Sequence, residues 1–220
     1  MLSNANRSGA GKAEARRALI EAAARLIATE GAGALTLRRV ADEVGTSTMA
    51  IYTHFGGMPE LRRAVRREGF ARLAERIAPI GEGDDPVADV AMLGLEYYDH
   101  AISDPHLYRV MFMEQPLDED DAQTGWDTFG TLQAAMRRCI EAGRFAPADA
   151  EDLAREIWAL THGVVTLQLA QLLSGEEALR CLAGAVAKLF RSYGDDPDAT
   201  ADSFARAARR GEPRGEPDAA

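Results

Sequence analysis

The chain has 220 residues, 46% hydrophobic and 6% aromatic, with a formal net charge of −10. That length suits one compact domain or two small ones with a real core, and no run of eighteen apolar residues free of charge is present to span a bilayer. Good helix formers dominate and runs of β-branched residues are missing, which argues against a sheet protein and makes all-α the expected class.

The charge is unevenly spread. Residues 1–80 hold 13 Lys and Arg against 8 Asp and Glu, and residues 81–220 hold 12 against 27. A basic end can approach phosphate while an acidic body repels it, so the negative sum does not exclude a nucleic-acid partner. The segment from Met1 to Arg7 has no apolar signal core, so the cytoplasm is the expected compartment. Cys139 and Cys181 are far apart and lack metal-ligand spacing. In a reducing compartment they read as small core residues rather than a disulfide.

In chain order, residues 1–11 are polar and are expected to be loose. A helical period begins at Lys12, with Leu19, Ala22, Ala23, Leu26 and Ile27 at three- and four-residue steps. Gly31-Ala32-Gly33 ends it. Leu37, Val40, Ala41 and Val44 then share one face of a short helix that Thr36 can cap and Gly45 ends. A second short helix is expected from Thr48 to Phe55, with Ser47 as its cap and Gly56-Gly57 as its stop. A long helix follows from Pro59 to Ala78. The stretch Gly81 to Pro86 is polar and ends in a cap-plus-proline start, which marks a boundary. Five more helices are expected: Pro86–Ile102, Pro105–Met113, Gly125–Ala142, Pro147–Leu173 and Glu176–Tyr193. Between them Glu114–Thr124 reads as an acidic loop. Its Asp118–Asp121 run reads as solvated rather than metal-binding. The outline is about nine helices in two domains, 12–80 and 85–194, with tails at 1–11 and 195–220.

Thr36 to Phe55 has the form of a helix-turn-helix, two short helices joined by a tight turn opened by glycine. Val40, Ala41, Val44 and Ile51 would pack the pair together, and Gly45 can take the left-handed conformation of the turn. The second helix is left with an outward face of Ser47, Thr48, Met49, Ala50, Tyr52, Thr53 and His54. Small polar and apolar groups suit base edges and thymine methyls. Hydroxyls and a helix N-terminus suit phosphates. Arg38, Arg39, Arg62 and Arg63 could flank the groove, while Arg62, Arg63, Arg66 and Arg67 read equally as a solvated face.

The stretch Leu35 to Gly45, followed by Ile51-Tyr52-Thr53-His54-Phe55, resembles the signature of the tetracycline-repressor family, most specifically in the pairing of Tyr52 and Phe55 after Ala41 and Gly45. The resemblance spans about residues 15–62. It implies a three-helix DNA-binding head, with Thr36, Arg38, Ser47, Thr48, Met49, Tyr52, Thr53 and His54 at positions that commonly touch DNA. Leu37 and Ala50 complete the candidate set. It also implies an obligate homodimer and a small-molecule pocket in the C-terminal domain, with no cofactor. The chain departs from the family at Met58, where a lysine is frequent. Trp158 to Val165 and Asp104 to Phe112 resemble one subgroup, marked by a Trp-x-x-x-His-Gly stretch.

For the ligand, Trp158 and His162 lie four apart on one helix face, as pocket walls or as core. Tyr97, Tyr108, Met111, Phe112, Trp126 and Phe129 join them as candidates for an apolar or aromatic ligand. Dimerisation is expected through the last two long helices, using Val164, Val165, Leu167, Leu172, Leu179, Leu182, Val186 and Leu189. The expected function is a regulator, most simply a repressor, released from a near-palindromic operator by its ligand. An enzyme is disfavoured, because no nucleophile–base pair, paired carboxylates or metal spacing is visible, and Glu156 and His162 do not share a face. An architectural DNA binder without a ligand is the other alternative.

Overall fold

The computed structural model describes residues 3–211, with side chains from 11 to 210. Among the described residues there are eleven α-helices and no strand: α1 (Ser3–Glu30), α2 (Leu37–Val44), α3 (Thr48–Phe55), α4 (Met58–Ile77), α5 (Pro86–Ser103), α6 (Pro105–Phe112), α7 (Glu119–Gln123), α8 (Trp126–Glu141), α9 (Ala150–Leu169), α10 (Gly175–Ser192) and α11 (Pro197–Gly211). The fold is all-α. Two helices were not expected. The acidic stretch forms α7, and the polar stretch taken as a tail forms α11. At the other end α1 already begins at Ser3, while residues 1–2 and 212–220 of the expected tails lie outside the described residues.

The chain divides into two compact units. One holds the residues up to Arg72 together with Ser103–Gly125, and the other holds Leu73–Ile102 together with the residues from Trp126 onward. The two units interleave along the chain. The physical reason is visible inside the first unit. α6 packs against α1, and the carboxylates that precede and open α7 pair with α4. Arg63 bonds Asp118, Arg67 bonds Asp120, and Arg66 lies 3.6 Å from the buried Asp121. α7 forms because Asp118 accepts the N–H of Asp121 at 2.9 Å and three acids occupy its first turn, where the helix dipole favours negative charge.

The second unit is built on α8, α9 and α10, with α11 laid against α10. Caps explain where its helices start. Asp149 accepts from Glu151 at 2.8 Å, and Ser174 and Glu177 form a reciprocal capping box. Val164, Val165, Leu182 and Val186 are buried inside this unit. That corrects half of the expected dimer surface, because an intramolecular core has already claimed those side chains. Leu167, Leu172 and Leu179 remain exposed. Cys139 is buried, and burial pushes its thiol up to about 12. Cys181 is exposed rather than core, and both thiols are free.

Asp85 ties this unit together. One carboxylate oxygen caps α5, accepting the N–H groups of Val87 at 3.2 Å and Ala88 at 3.1 Å. The same carboxylate accepts from Ser203 at 2.9 Å, from Arg206 at 2.7 Å and from Arg144 at 3.5 Å. Arg144 also forks onto Asp195 at 2.6 and 2.9 Å. A second cluster centres on Asp89, which bonds Arg138 at 2.8 Å and Arg210 at 3.0 Å. The polar residues of α11 are thus its anchors, which is why composition alone reads the segment as a tail. Burial pushes Asp85 up, but the Ala88 amide, the Ser203 hydroxyl and the two arginines outweigh it and hold its pKa below the usual carboxylate value.

A depressed folded-state pKa adds stability that is present above the unfolded value, near 3.9, and is lost as pH falls through the folded value. Asp85→Ala removes that contribution and strands two guanidinium groups and a helix start. It is expected to cost about 3 kcal/mol in urea unfolding at pH 7. The difference from the native chain should shrink as the pH drops below about 4. A loss under about 0.5 kcal/mol, the range of ordinary surface changes, would show that Asp85 does not anchor α11.

Candidate functional site

The first unit presents α2 and α3 as a tight pair. Thr36 is extended and its hydroxyl accepts the N–H of Arg39 at 3.3 Å, which starts α2. Gly45 ends it at φ 71°, ψ 36°, the left-handed region that a Cβ disfavours. The N–H of Thr46 returns to the carbonyl of Ala41 at 2.9 Å, closing the turn. Val40, Ala41, Ile51 and Phe55 are buried where the two helices pack on each other and on α1. The guanidinium of Arg16 lies over the Phe55 ring, 5.0 Å from its centroid.

That packing decides what α3 shows. Of the ten candidate contact residues, Thr36, Arg38, Ser47, Thr48, Met49, Tyr52 and Thr53 are exposed, Leu37, Ala50 and His54 are half-buried, and none is buried. Met49 is 68% and Tyr52 50% exposed, unusual for side chains of that size. Ser47, the expected cap of α3, stands at the N-cap, but its side chain makes no capping bond; its carbonyl accepts the Ala50 N–H at 3.0 Å. Thr53 donates its hydroxyl to the Met49 carbonyl at 2.9 Å.

The arginines fall into two classes. Arg39 forks onto Glu30, Arg62 bonds Glu114 at 2.7 Å and the Ala32 carbonyl at 3.0 Å, and Arg63, Arg66 and Arg67 face the α7 carboxylates. The hydrogen bond to Arg39 lowers the Glu30 pKa. The α4 arginines are therefore neither a solvated face nor an open phosphate clamp, because acidic partners inside the same unit hold them. Arg38 differs. Its side chain is 90% exposed and only 3.8 Å from Asp42 in a loose helical pair.

The eight candidate ligand residues are divided between the two units. Tyr108, Met111 and Phe112 belong to the first unit, where the Tyr108 and Phe112 rings are 4.9 Å apart and Phe70 meets Phe112 edge-on at 5.2 Å. Tyr97, Trp126, Phe129, Trp158 and His162 belong to the second. There Trp126, Phe129, Trp158 and His162 form a continuous ring ladder with centroid spacings of 5.2, 6.2 and 5.7 Å. The Tyr97 hydroxyl is 3.0 Å from the His162 Nδ1, and burial lowers the His162 pKa.

A cavity of about 190 Å³ lies elsewhere in the second unit, between α5, α9, α10 and α11. Its walls include Ala91, Gly94, Ile157, Leu182, Val186 and Phe204, and none of the eight candidates. The only legible signal for it was the recurrence of small residues on helix faces.

Known proteins match the chain in two successive stretches. Residues 19–65 match the family described as bacterial regulatory proteins, tetR family. Residues 90–183 match the tetracyclin repressor-like C-terminal domain. An HTH-type transcriptional regulator of Mycobacterium tuberculosis is 27% identical over 154 residues, which cover 70% of this chain and 70% of that protein. A solved structure from Rhodococcus sp. RHA1 superposes with a TM-score of 0.73 at 24% identity, covering 82% of this chain and 96% of that one. The RolR protein, solved in complex with resorcinol, gives 0.66 at 16% identity, covering 91% and 96%. The likeness to these two structures concerns the fold.

The contrast between Tyr52 and Phe55 is directly testable. Phe55→Ala empties a buried site and should cost about 3–5 kcal/mol in denaturant unfolding. Tyr52→Ala removes an exposed ring and should stay within about 0.5 kcal/mol of the native chain. Equal losses would mean that both rings are core.

Proposed function

The chain belongs to the tetR family of bacterial regulatory proteins, and from that premise we propose that it represses transcription from a near-palindromic operator until a small ligand releases it. Family membership makes it a DNA-binding transcription regulator and not an enzyme. The observation that supports the finer reading is the α2–α3 pair. Its buried face holds the crossing, and its outward face carries Thr48, Met49, Tyr52 and Thr53 with two large side chains exposed to solvent. In this reading α3 enters the major groove. Met49 and Ala50 offer apolar contact to a thymine methyl, while Ser47, Thr48 and Tyr52 reach phosphates or base edges. Arg38 is the arginine with the freest approach to the backbone.

Two copies are needed, because one eight-residue recognition helix reads too few base pairs for a unique site. The proposed dimer pairs α9 and α10 with their twofold mates through the exposed Leu167 and Leu172 and the half-buried Leu189. It sets the two heads one DNA turn, roughly 34–36 Å, or somewhat more apart. A ligand that binds better to a wrongly spaced pair lowers DNA affinity by its differential affinity for the two states. The resorcinol complex of RolR supports a small effector here.

Selection from random duplexes at low salt, with recovery and sequencing of the bound fraction, tests the DNA role. The native chain should enrich a palindrome. The Thr48→Ala/Tyr52→Ala double variant should lose it while keeping its fold by circular dichroism. Raising the salt should weaken binding, since phosphate contacts release counterions. Enrichment by both proteins alike would remove α3 from the interface.

A further inference from the structure

We propose that the groove between α5, α9, α10 and α11 is a binding site for a small uncharged hydrocarbon-like molecule, such as a monocyclic aromatic or a branched alkyl compound. The place of this site in regulation rests on the function proposed above; its existence does not. The chemistry comes from the wall. No titratable side chain lines it, and all lining residues are apolar except Thr161. The Thr161 hydroxyl already donates to the Ile157 carbonyl at 2.8 Å. A carboxylate or ammonium entering this space would lose its water and find no partner.

Size narrows the class. An apolar cavity of about 150 Å³ stays dry and accepts benzene. The groove measures about 190 Å³, room for a ring with a few more carbons. The floor is closed, because Ile157, Leu182, Val186 and Ala207 are buried. Leu95 and Leu179 form an exposed lip, 36% and 41% accessible. A second protein chain could insert no more than one side chain into such a space, which is why a small molecule fits it better than a partner helix.

The space also persists for a stated reason. Phe204 and Ala207 of α11 close one side. α11 cannot slide inward to fill it, because Ser203 and Arg206 are fixed on Asp85 and Arg210 on Asp89. Opposite them, a Cβ built on Gly94 meets no heavy atom within 4 Å, so a side chain there would enter open space.

Calorimetric titration of the native chain with p-xylene and with 4-methylbenzoate tests the site. The two probes are matched in size, and one is charged. p-Xylene should bind one per chain with a dissociation constant below about 1 mM, at least tenfold tighter than the carboxylate. Gly94→Leu fills the groove and substitutes a better helix former. It should melt no lower than the native chain and weaken p-xylene at least tenfold. Should Gly94→Leu melt lower, Ala183→Leu fills the same space from α10 and must give the same loss.

The proposal is overturned by absence of p-xylene binding, by equal binding of the carboxylate, or by undiminished binding in the filled variants. A dimer that becomes monomeric in Gly94→Leu without any p-xylene binding to the native chain would assign the groove to a second copy and overturn it too. None of these readouts involves DNA. Failure of the operator selection therefore leaves the site standing, and loss of the site leaves the DNA reading intact.

Discussion

The close crossing of α2 and α3 is the constraint on which the functional reading depends. Eight-residue helices cannot hold themselves together in water, so each must bury a face against a neighbour. Val40 and Ala41 from one, and Ile51 and Phe55 from the other, supply that face. The left-handed residue at Gly45 turns the chain sharply enough for them to meet. Once those positions are buried, helical geometry leaves Thr48, Met49, Tyr52 and Thr53 no choice but to face solvent. The display of a recognition surface is thus a consequence of core packing, and a change in the core would misplace it without touching it.

Electrostatics acts here through pairing more than through net charge. Six arginines surround the α2–α3 pair in sequence, but most are already engaged. Arg39 is on Glu30, Arg62 on Glu114, and Arg63, Arg66 and Arg67 on α7. The more exposed of these pairs, Arg39–Glu30 and Arg67–Asp120, add little to stability, about 0–1 kcal/mol each. Their larger effect is to lower the positive potential that the head offers to phosphate. An acidic segment that follows α6 in sequence thereby tunes the charge of a basic one that precedes α5. The same logic is stronger in the second unit, where Asp85 and Asp89 are buried and their arginines fix α11 in place.

The fold was legible wherever local signals agree. Thr36, Gly45, Pro86 and the Asp104-Pro105 pair placed helix ends to within a residue or two, because caps and prolines act on the nearest turn. The outward set on α3 was legible for the same reason, as a remainder after the apolar stripe is assigned. Partners distant in sequence were not. Nothing in Asp118–Asp121 says that Arg63, Arg66 and Arg67 wait for it. Nothing in Thr200, Ser203, Arg206 and Arg210 says that Asp85 and Asp89 will receive them. A segment with few large apolar residues reads as disordered when its stabilisation is ionic and non-local. The same blindness assigned Val164, Val165, Leu182 and Val186 to a dimer surface. An apolar stripe identifies a face to be buried but not which partner buries it.

The ligand candidates show a further asymmetry between what side chains do and what they leave undone. Large aromatics attract attention as pocket walls, yet rings satisfy one another first. Trp126, Phe129, Trp158 and His162 contact one another in series along α8 and α9, the first two pairs edge to face and the third tilted. Empty space arises instead where small residues from several helices happen to face each other and the backbones cannot close in. Ala91 and Gly94 on α5, Ala183 on α10 and Ala207 on α11 are such residues, and the ionic fixing of α11 prevents closure. A groove held open in this way leaves apolar lining atoms without protein contacts and facing water. An apolar molecule that enters restores those contacts and is drawn in by the same deficit, so the unfilled packing is itself the source of affinity.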